Sequence, residues 1–148
     1  LVNKKKENIV PKIANTDSEI MSCFETMAEL RPHLSKNHFL ATVKEMQKGG
    51  YKILYVEKDA IVVAVAGFRI AKNLFMGEHL YLDDLVTAEQ YRSKGYGEIL
   101  INWLRDLAKK EGCSYLHLDS GTHRGRAHKF YFAQDFTITS YHFSEKLQ

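Results

Sequence analysis

Apolar positions along the chain change period several times, and each change marks an element. Ile20, Cys23, Phe24, Met27 and Leu30 recur at three- and four-residue steps, the spacing of one helix face. Thr16-Asp17-Ser18-Glu19 stands just before them as a capping box, and Pro32 closes the helix. Phe39, Leu40, Val43 and Met46 form a second helical stripe, opened by Ser35 and stopped by Gly49-Gly50. The pattern then becomes extended. Tyr51–Val56 and Ala60–Ile70 read as strands joined by a tight turn at Lys58-Asp59. Ile61–Ala66 is apolar on both faces, which predicts a central strand.

Lys72–Glu78 reads as a connection, and His79–Val86 as a strand with two unlike faces. Strict alternation points Leu80, Leu82 and Val86 one way. It points His79, Tyr81, Asp83 and Leu85 the other. After Gly97 the helical period returns through Ile99, Leu100, Trp103, Leu104, Leu107 and Ala108, ending at Glu111-Gly112. A strand at Cys113–Leu118, a loop at Asp119–Gly125, a short helix at Arg126–Gln134 and a last strand at Thr137–Phe143 complete the series. At the other end, residues 1–8 are polar and expected to fray, and Ile9–Ala14 reads as a short strand confined to an edge by Pro11. The strand–helix–strand unit at 79–118 predicts two parallel strands; the hairpins before it predict antiparallel ones. The fold class expected is α/β (α+β), with a mixed, mostly antiparallel sheet and helices on both faces. One domain, 1–148, is expected.

Composition narrows the picture only a little. The formal net charge is +3, from 21 basic and 18 acidic residues. That surplus does not require nucleic acid, and it suits an anionic ligand. Cys23 and Cys113 are isolated among apolar neighbours and read as free buried thiols, in keeping with a reducing, cytoplasmic compartment. No apolar run approaches the roughly 20 residues of a membrane span, and no signal core opens the chain.

The chemistry concentrates in Arg92-Ser93-Lys94-Gly95-Tyr96-Gly97, between strand and helix. The first N–H groups of a helix lack internal partners and attract anions. Glycines there admit phosphate oxygens close to the backbone, and Arg92 and Lys94 add charge. A dinucleotide fingerprint would need Gly or Ala where Leu100 stands, and no G-K-[ST] triplet exists for a nucleotide P-loop. Taken alone, G-x-G reads first as an ordinary helix entry turn.

Its setting says more. Arg92-x-x-Gly95-x-Gly97, preceded by Asp84-Leu85-Val86, resembles motif A of the GNAT superfamily of acetyl-CoA-dependent N-acetyltransferases. Ala127-His128-Lys129-Phe130-Tyr131-Phe132-Ala133-Gln134-Asp135-Phe136 resembles that family's A-x-x-[LF]-Y-x-x-x-G-F block. Two residues depart from the pattern. Asp135 replaces Gly, which a left-handed conformation of Asp would accommodate, and Arg124 stands where many members have Asn.

The resemblance implies a GNAT-like acyl-CoA N-acyltransferase fold over about residues 9–143 and direct attack of an amine on the thioester of acetyl-CoA. It implies that Leu85 and Val86 pair with the pantetheine arm, with a main-chain N–H, that of Val86, on the thioester oxygen. Arg92, Ser93, Lys94, Gly95, Tyr96 and Gly97 would hold the pyrophosphate. Tyr131 falls at the position of the general acid, a role set ahead of that of a Tyr merely packed on the sheet between Phe130 and Phe132. Tyr81 and Asp83 fall on the acceptor side, Asp83 as base or ammonium anchor, with Asp84 structural; a one-residue slip of the strand would exchange the two carboxylates. His117, Asp119, His123 and His128 are secondary candidates. Their spacing matches no standard metal site, and no metal is expected. The partners expected are acetyl-CoA and a primary amine, cationic if the acidic groups bind it. Neither membrane nor nucleic acid is expected, and Tyr141-His142-Phe143 offers an edge to a second subunit. Two other classes stand beside the enzyme: a non-catalytic CoA-binding or regulatory domain, and an enzyme acting on an amine carried by RNA.

Overall fold

The computed structural model describes residues 8–148, so the Lys4-Lys5-Lys6 run and most of the 1–8 tail lie outside it. The chain falls into two compact units, Leu1–His117 and Leu118–Gln148. Five strands follow the order β1-β2-β3-β4-β5: β1 (Lys12–Ile13), β2 (Lys52–Lys58), β3 (Ile61–Asn73), β4 (Gly77–Thr87) and β5 (Tyr115–Leu118). The pairs β1–β2, β2–β3 and β3–β4 are antiparallel, and a helix connects β4 to β5, so the sheet is mixed as the pattern predicts.

Asp17–Ser22 (α1) and Phe24–Leu30 (α2) occupy the place of the single helix expected there. Thr16 and Glu19 form the full capping box. The break falls at Cys23. Ser22 Oγ donates to Glu19 O at 2.6 Å and Cys23 Sγ to the same carbonyl at 3.3 Å, so side chains compete with the backbone ladder and bend it. Lys36–Lys48 (α3) stops at Gly49, with Gly50 left-handed at φ 90°. Ser35 opens α3 without a side-chain cap bond to the backbone.

The segment read as a connection is largely strand: β3 runs to Asn73 and β4 starts at Gly77, leaving Leu74-Phe75-Met76 as the hairpin tip. The β2–β3 turn is at Asp59-Ala60, both at positive φ (51° and 62°).

Tyr96–Lys110 (α4) packs on β2, β3 and β4 through Leu100, Ile101, Leu104 and Ala108, all buried. Its end is a Schellman motif. Gly112, at φ 72°, donates to Lys109 O at 3.2 Å and Cys113 to Ala108 O at 2.8 Å. The other face of the sheet carries α1, α2 and α3 over Tyr51, Ile53, Tyr55, Val65 and Val86. Cys23 is buried there, while Cys113 is only half-buried; both thiols are free. No helix among the described residues is long and apolar enough to cross a membrane.

In the second unit, Gly125–Ala133 (α5) also ends in a Schellman motif: Phe136 N–H donates to Tyr131 O at 3.0 Å and Asp135 N–H to Phe132 O at 3.1 Å. Asp135 adopts φ 63°, the left-handed conformation its place in the motif demands. Thr137–Phe143 forms no strand, and Ile138, Tyr141 and Phe143 are exposed. Alternation alone does not make a strand without a neighbouring edge to supply its hydrogen bonds.

Candidate active site

The register of β4 against β3 places the candidate residues. Leu80, Leu82 and Leu85 face Ile70, Phe68 and Ala66, while His79, Tyr81, Asp84 and Val86 face Ala71, Arg69, Gly67 and Val65. Between Leu82 and Asp84 the ladder slips, and Asp83 is the extra residue. This bulge corrects the strict alternation. Leu85 belongs with Leu80 and Leu82, and Val86 with Tyr81, because one inserted residue inverts every later side chain. It also turns both carboxylates to one side. Asp83 takes Arg69 Nε at 3.0 Å and Arg69 Nη2 at 3.3 Å. Asp84 takes the Tyr51 hydroxyl at 2.8 Å and Arg31 Nε at 3.0 Å.

The two acids differ in surroundings. Burial raises the Asp83 carboxyl above the ordinary range, and the Arg69 guanidinium opposes that rise. Asp84 is the more enclosed, at 11% side-chain exposure against 22% for Asp83. Arg31, just past α2, also donates to the Asp83 carbonyl at 3.1 Å. Tyr51 lies under the Arg69 guanidinium, 5.7 Å from ring centre to carbon. Gly67 has no space for a side chain because Tyr51 and Asp84 lie over it.

The backbone of β4 offers the second part of the site. Ala88 N–H donates to Val63 O at 2.9 Å, and Val65 pairs with Val86 in the same register. Antiparallel ladders alternate, so the Val86 N–H is directed to β3 and those of Leu85 and Thr87 point away from it. The Val86 N–H expected at the thioester is therefore turned into the ladder with β3, and the neighbouring outward N–H is that of Leu85. The bulge is the cause. On the far side, β5 starts level with Glu78, where Ser114 N–H meets Glu78 O at 2.8 Å. Within β5 the His117 ring meets that of His79, with 2.8 Å between ring nitrogens. The outward donors at 85 and 87 lie several residues further along β4, at about 3.3 Å per residue.

The glycine loop supplies the third part. Gly95 is the N-cap of α4 at φ 90°, with no side-chain cap bond, and Ser93 is also at positive φ (61°). The first helical N–H with an internal partner is that of Ile99, which meets Gly95 O at 3.1 Å. The N–H groups of Tyr96, Gly97 and Glu98 project from the helix mouth. Tyr96 sends its side chain into the core, 5% exposed, so its backbone alone is available. Arg92 braces the loop: its Nε donates to Thr87 O at 3.2 Å and its Nη2 lies 3.9 Å from Glu29. Lys94 sits over the Tyr91 ring at 5.4 Å. An uncapped helix mouth with exposed cations beside it fits the diphosphate of a CoA molecule.

In the second unit, Tyr131 is half-buried, its ring 5.5 Å from Phe130 and 5.8 Å from Phe136. Burial pushes its phenol above the ordinary range, with Arg124 pulling the other way. Arg124 itself is exposed at the entrance to α5. His128 Nε2 lies 2.9 Å from Gly121 O, and His142 lies 3.5 Å from Asp119. Among the described residues no three His, Cys, Asp or Glu side chains gather as a metal site.

Sequence reasoning missed Arg69, Arg31, Tyr51 and His79. Arg69 carried a signal, as a lone cation closing an apolar central strand. The others depend on pairings across 33 residues or more that no local pattern reveals.

Comparison with known proteins fits this geometry. The sequence model of the Acetyltransferase (GNAT) family matches residues 15–136. An uncharacterized N-acetyltransferase of Bacillus subtilis, YhdJ, is 34% identical over 134 residues, 89% of this chain and 94% of its own. The thialysine N-epsilon-acetyltransferase of Mus musculus is 30% identical over 83 residues, and the match spans about half of each protein (54% and 49%). Among solved structures, the aminoglycoside N-acetyltransferase AAC(6')-Iy in complex with CoA superposes with a TM-score of 0.81 at 16% identity, covering 97% of this chain and 99% of that one. With a family match over most of its length and a relative aligned almost end to end, the chain belongs to the GNAT family of acetyltransferases, acetyl-CoA-dependent acyltransferases.

Proposed function

We propose that the chain, acting as a single N-acetyltransferase domain, moves the acetyl group of acetyl-CoA directly to a primary amine, and that the amine is a cationic small molecule or protein side chain. The observation that carries this is the line from the outward N–H groups of Leu85 and Thr87 to the uncapped mouth of α4. Acetyl-CoA supplies an activated acyl group as a thioester. The backbone of Leu85 and Thr87 pairs with the pantetheine arm, and the Leu85 N–H holds the carbonyl oxygen as negative charge gathers on it. Lys94–Gly97 bind the diphosphate through main-chain donors, and Arg92 keeps the loop closed on Thr87.

Asp83 is the residue for the ammonium group. Arg69 occupies each of its oxygens once, which leaves acceptor capacity on both. An ammonium near pKa ~10 is no nucleophile until it loses a proton, and Asp83, directly or through water, receives it. Tyr131 gives its proton to the departing thiolate; its place in the second motif and a burial that keeps the phenol protonated support the role. The thialysine acetyltransferase relative points the same way for the acceptor: an amine at the end of a flexible chain.

The test is binding followed by turnover. Acetyl-CoA should raise the melting temperature with the logarithm of its excess over the dissociation constant, and Gly97→Asp should abolish the shift by blocking and repelling the diphosphate. A screen of diamines, amino sugars and lysine derivatives, read by release of free CoA thiol, identifies the acceptor. No thermal shift at millimolar acetyl-CoA sinks the reading. A shift without turnover on any amine favours a CoA-binding regulator.

A further inference from the structure

On the Tyr81 face of β4 a chain of hydrogen bonds runs from the hairpin tip to β5, and its first link fixes all the others. Met76 N–H donates to Asn73 Oδ1 at 2.6 Å. An amide oxygen held by that donor leaves Nδ2 as the group facing His79 Nε2, 3.3 Å away. Nδ2 can only donate, so His79 Nε2 must accept and carry no proton. A neutral His79 then has its proton on Nδ1, which lies 2.8 Å from His117 Nε2. His117 Nε2 accepts in its turn, and its own proton is on Nδ1. His79 is 8% exposed, so water does not relax these assignments. The His117 ring lies 4.8 Å from that of His79 and 5.0 Å from that of Tyr81.

We propose that Asn73, His79 and His117 form a positioning chain that holds His117 as a neutral ring, protonated on Nδ1, on the acceptor side of β4, so that an extra proton on the pair weakens binding of a cationic amine. The proposal rests on the acetyltransferase reading for the words "acceptor side" and on the hydrogen bonds alone for the tautomers. A proton added to His117 lands on Nε2 and confronts the His79 donor. If His79 yields by moving its proton to Nε2, it confronts Asn73 Nδ2 instead. Either way one bond of the chain is lost. The Tyr81 ring lies beside His117, Arg69 stands opposite Tyr81 and is paired with Asp83 beyond it, and Tyr115 is two residues before His117. Lys72 and Glu78 pair on the opposite face of the hairpin. From α2 and the residue after it, Glu29 and Arg31 approach β4 only near Thr87 and Asp83–Asp84, beyond the bulge.

Long-range proton–nitrogen NMR of the imidazoles, on the full chain at pH 7.5, tests the assignment directly. Expected are neutral rings with protons on Nδ1 of both His79 and His117; a proton on Nε2 of either ring overturns it. In N73D the new carboxylate still accepts from Met76 and also accepts from His79, so a proton should appear on His79 Nε2; an unprotonated Nε2 in N73D also overturns it. With the best amine from the screen, KM should rise about tenfold as the pair takes its proton in acid, with kcat changing less. N73D should move that rise to higher pH. A KM profile identical in wild type and N73D overturns the functional half. Failure of acetyl-CoA binding would remove the acetyltransferase reading and leave the tautomers standing. Wrong tautomers would remove the chain and leave cofactor binding intact.

Discussion

Gly67→Ala is the substitution that most directly probes how the site is held. A Cβ at position 67 would fall 2.5 Å from Asp84 Oδ2 and 2.6 Å from Tyr51 Cζ, and nearer still to the Tyr51 hydroxyl oxygen. None of these atoms is the loose end of a flexible chain. Tyr51 is 3% exposed and its hydroxyl is bonded to Asp84, which Arg31 holds from the other side. The methyl must displace the phenol or the carboxylate. Overpacking of this kind costs about 1–3 kcal/mol, and loss of a buried hydrogen bond to a charged group adds about 1.5–3 kcal/mol. A total of about 3–5 kcal/mol is a large share of the stability of a domain this size. Urea unfolding at pH 7 measures it. Tyr51→Phe alone should cost about 1.5–3 kcal/mol. In the double variant the oxygen is gone, part of the clash goes with it and the same hydrogen bond cannot be lost twice. The combined cost should therefore fall at least about 1 kcal/mol below the sum. A Gly67→Ala protein within about 1 kcal/mol of wild type, or strict additivity, would refute the reasoning.

Three further outcomes are expected. Tyr131→Phe should lower kcat by about 10²–10⁴-fold, the usual weight of a general acid, while the thermal shift with acetyl-CoA is preserved; unchanged turnover makes Tyr131 a packing residue. Asp83→Asn should raise KM for a cationic amine by roughly 10–100-fold, the equivalent of one charge-assisted hydrogen bond, and an unchanged KM removes Asp83 from the acceptor site. Burial raises the Cys23 thiol from 9.0 to about 12, so above pH 9 the unfolded chain loses a proton that the folded one keeps. Stability should fall by about 1.4 kcal/mol between neutral pH and pH 10 from this group. Cys23→Ala should flatten that slope whatever its own baseline stability, and equal slopes would contradict the assignment.

The hairpin between β2 and β3, the helix stripes and the glycine loop were legible because each depends on residues near one another in sequence. Thr16 and Glu19 are three apart, and Gly95 needs its positive φ for reasons local to the turn. Asp135 was readable for the same reason, as a residue tolerant of the left-handed conformation that ends α5. What failed was non-local. Alternation along β4 assumed an unbroken ladder, and nothing within His79–Val86 announces the extra residue at Asp83. The break at Cys23 arises from hydroxyl and thiol bonds to one carbonyl, which a hydrophobic stripe cannot show. Thr137–Phe143 has the composition of a strand, but a strand is a property of a pair of edges.

The bulge also explains why two adjacent acids can have different work. In an unbroken strand Asp83 and Asp84 would point to opposite faces, and one would enter the apolar side under α4 beside Leu82 and Phe68, where an ionised carboxylate is costly. The inserted residue brings both to the polar side, where two separate arginines and a tyrosine meet them. Asp84 is spent on Tyr51 and Arg31, ties α2 to β4 and fixes Gly67 by excluding its side chain. That leaves Asp83 at the bend, its main chain held by Arg31 and its carboxylate by Arg69. The same insertion turns the Leu85 N–H away from β3. The acid proposed for the amine and the donor proposed for the acyl oxygen thus come from one irregularity, two residues apart. Deleting Asp83 would remove the extra residue and leave Asp84 opposite Gly67 and Leu85 opposite Ala66, so both keep the directions they have now. The deletion should therefore cost turnover on a cationic amine about as Asp83→Asn does, while the thermal shift with acetyl-CoA is kept. A deletion variant that folds but no longer binds acetyl-CoA would show that the bend at Asp83, and not the register after it, sets the donor.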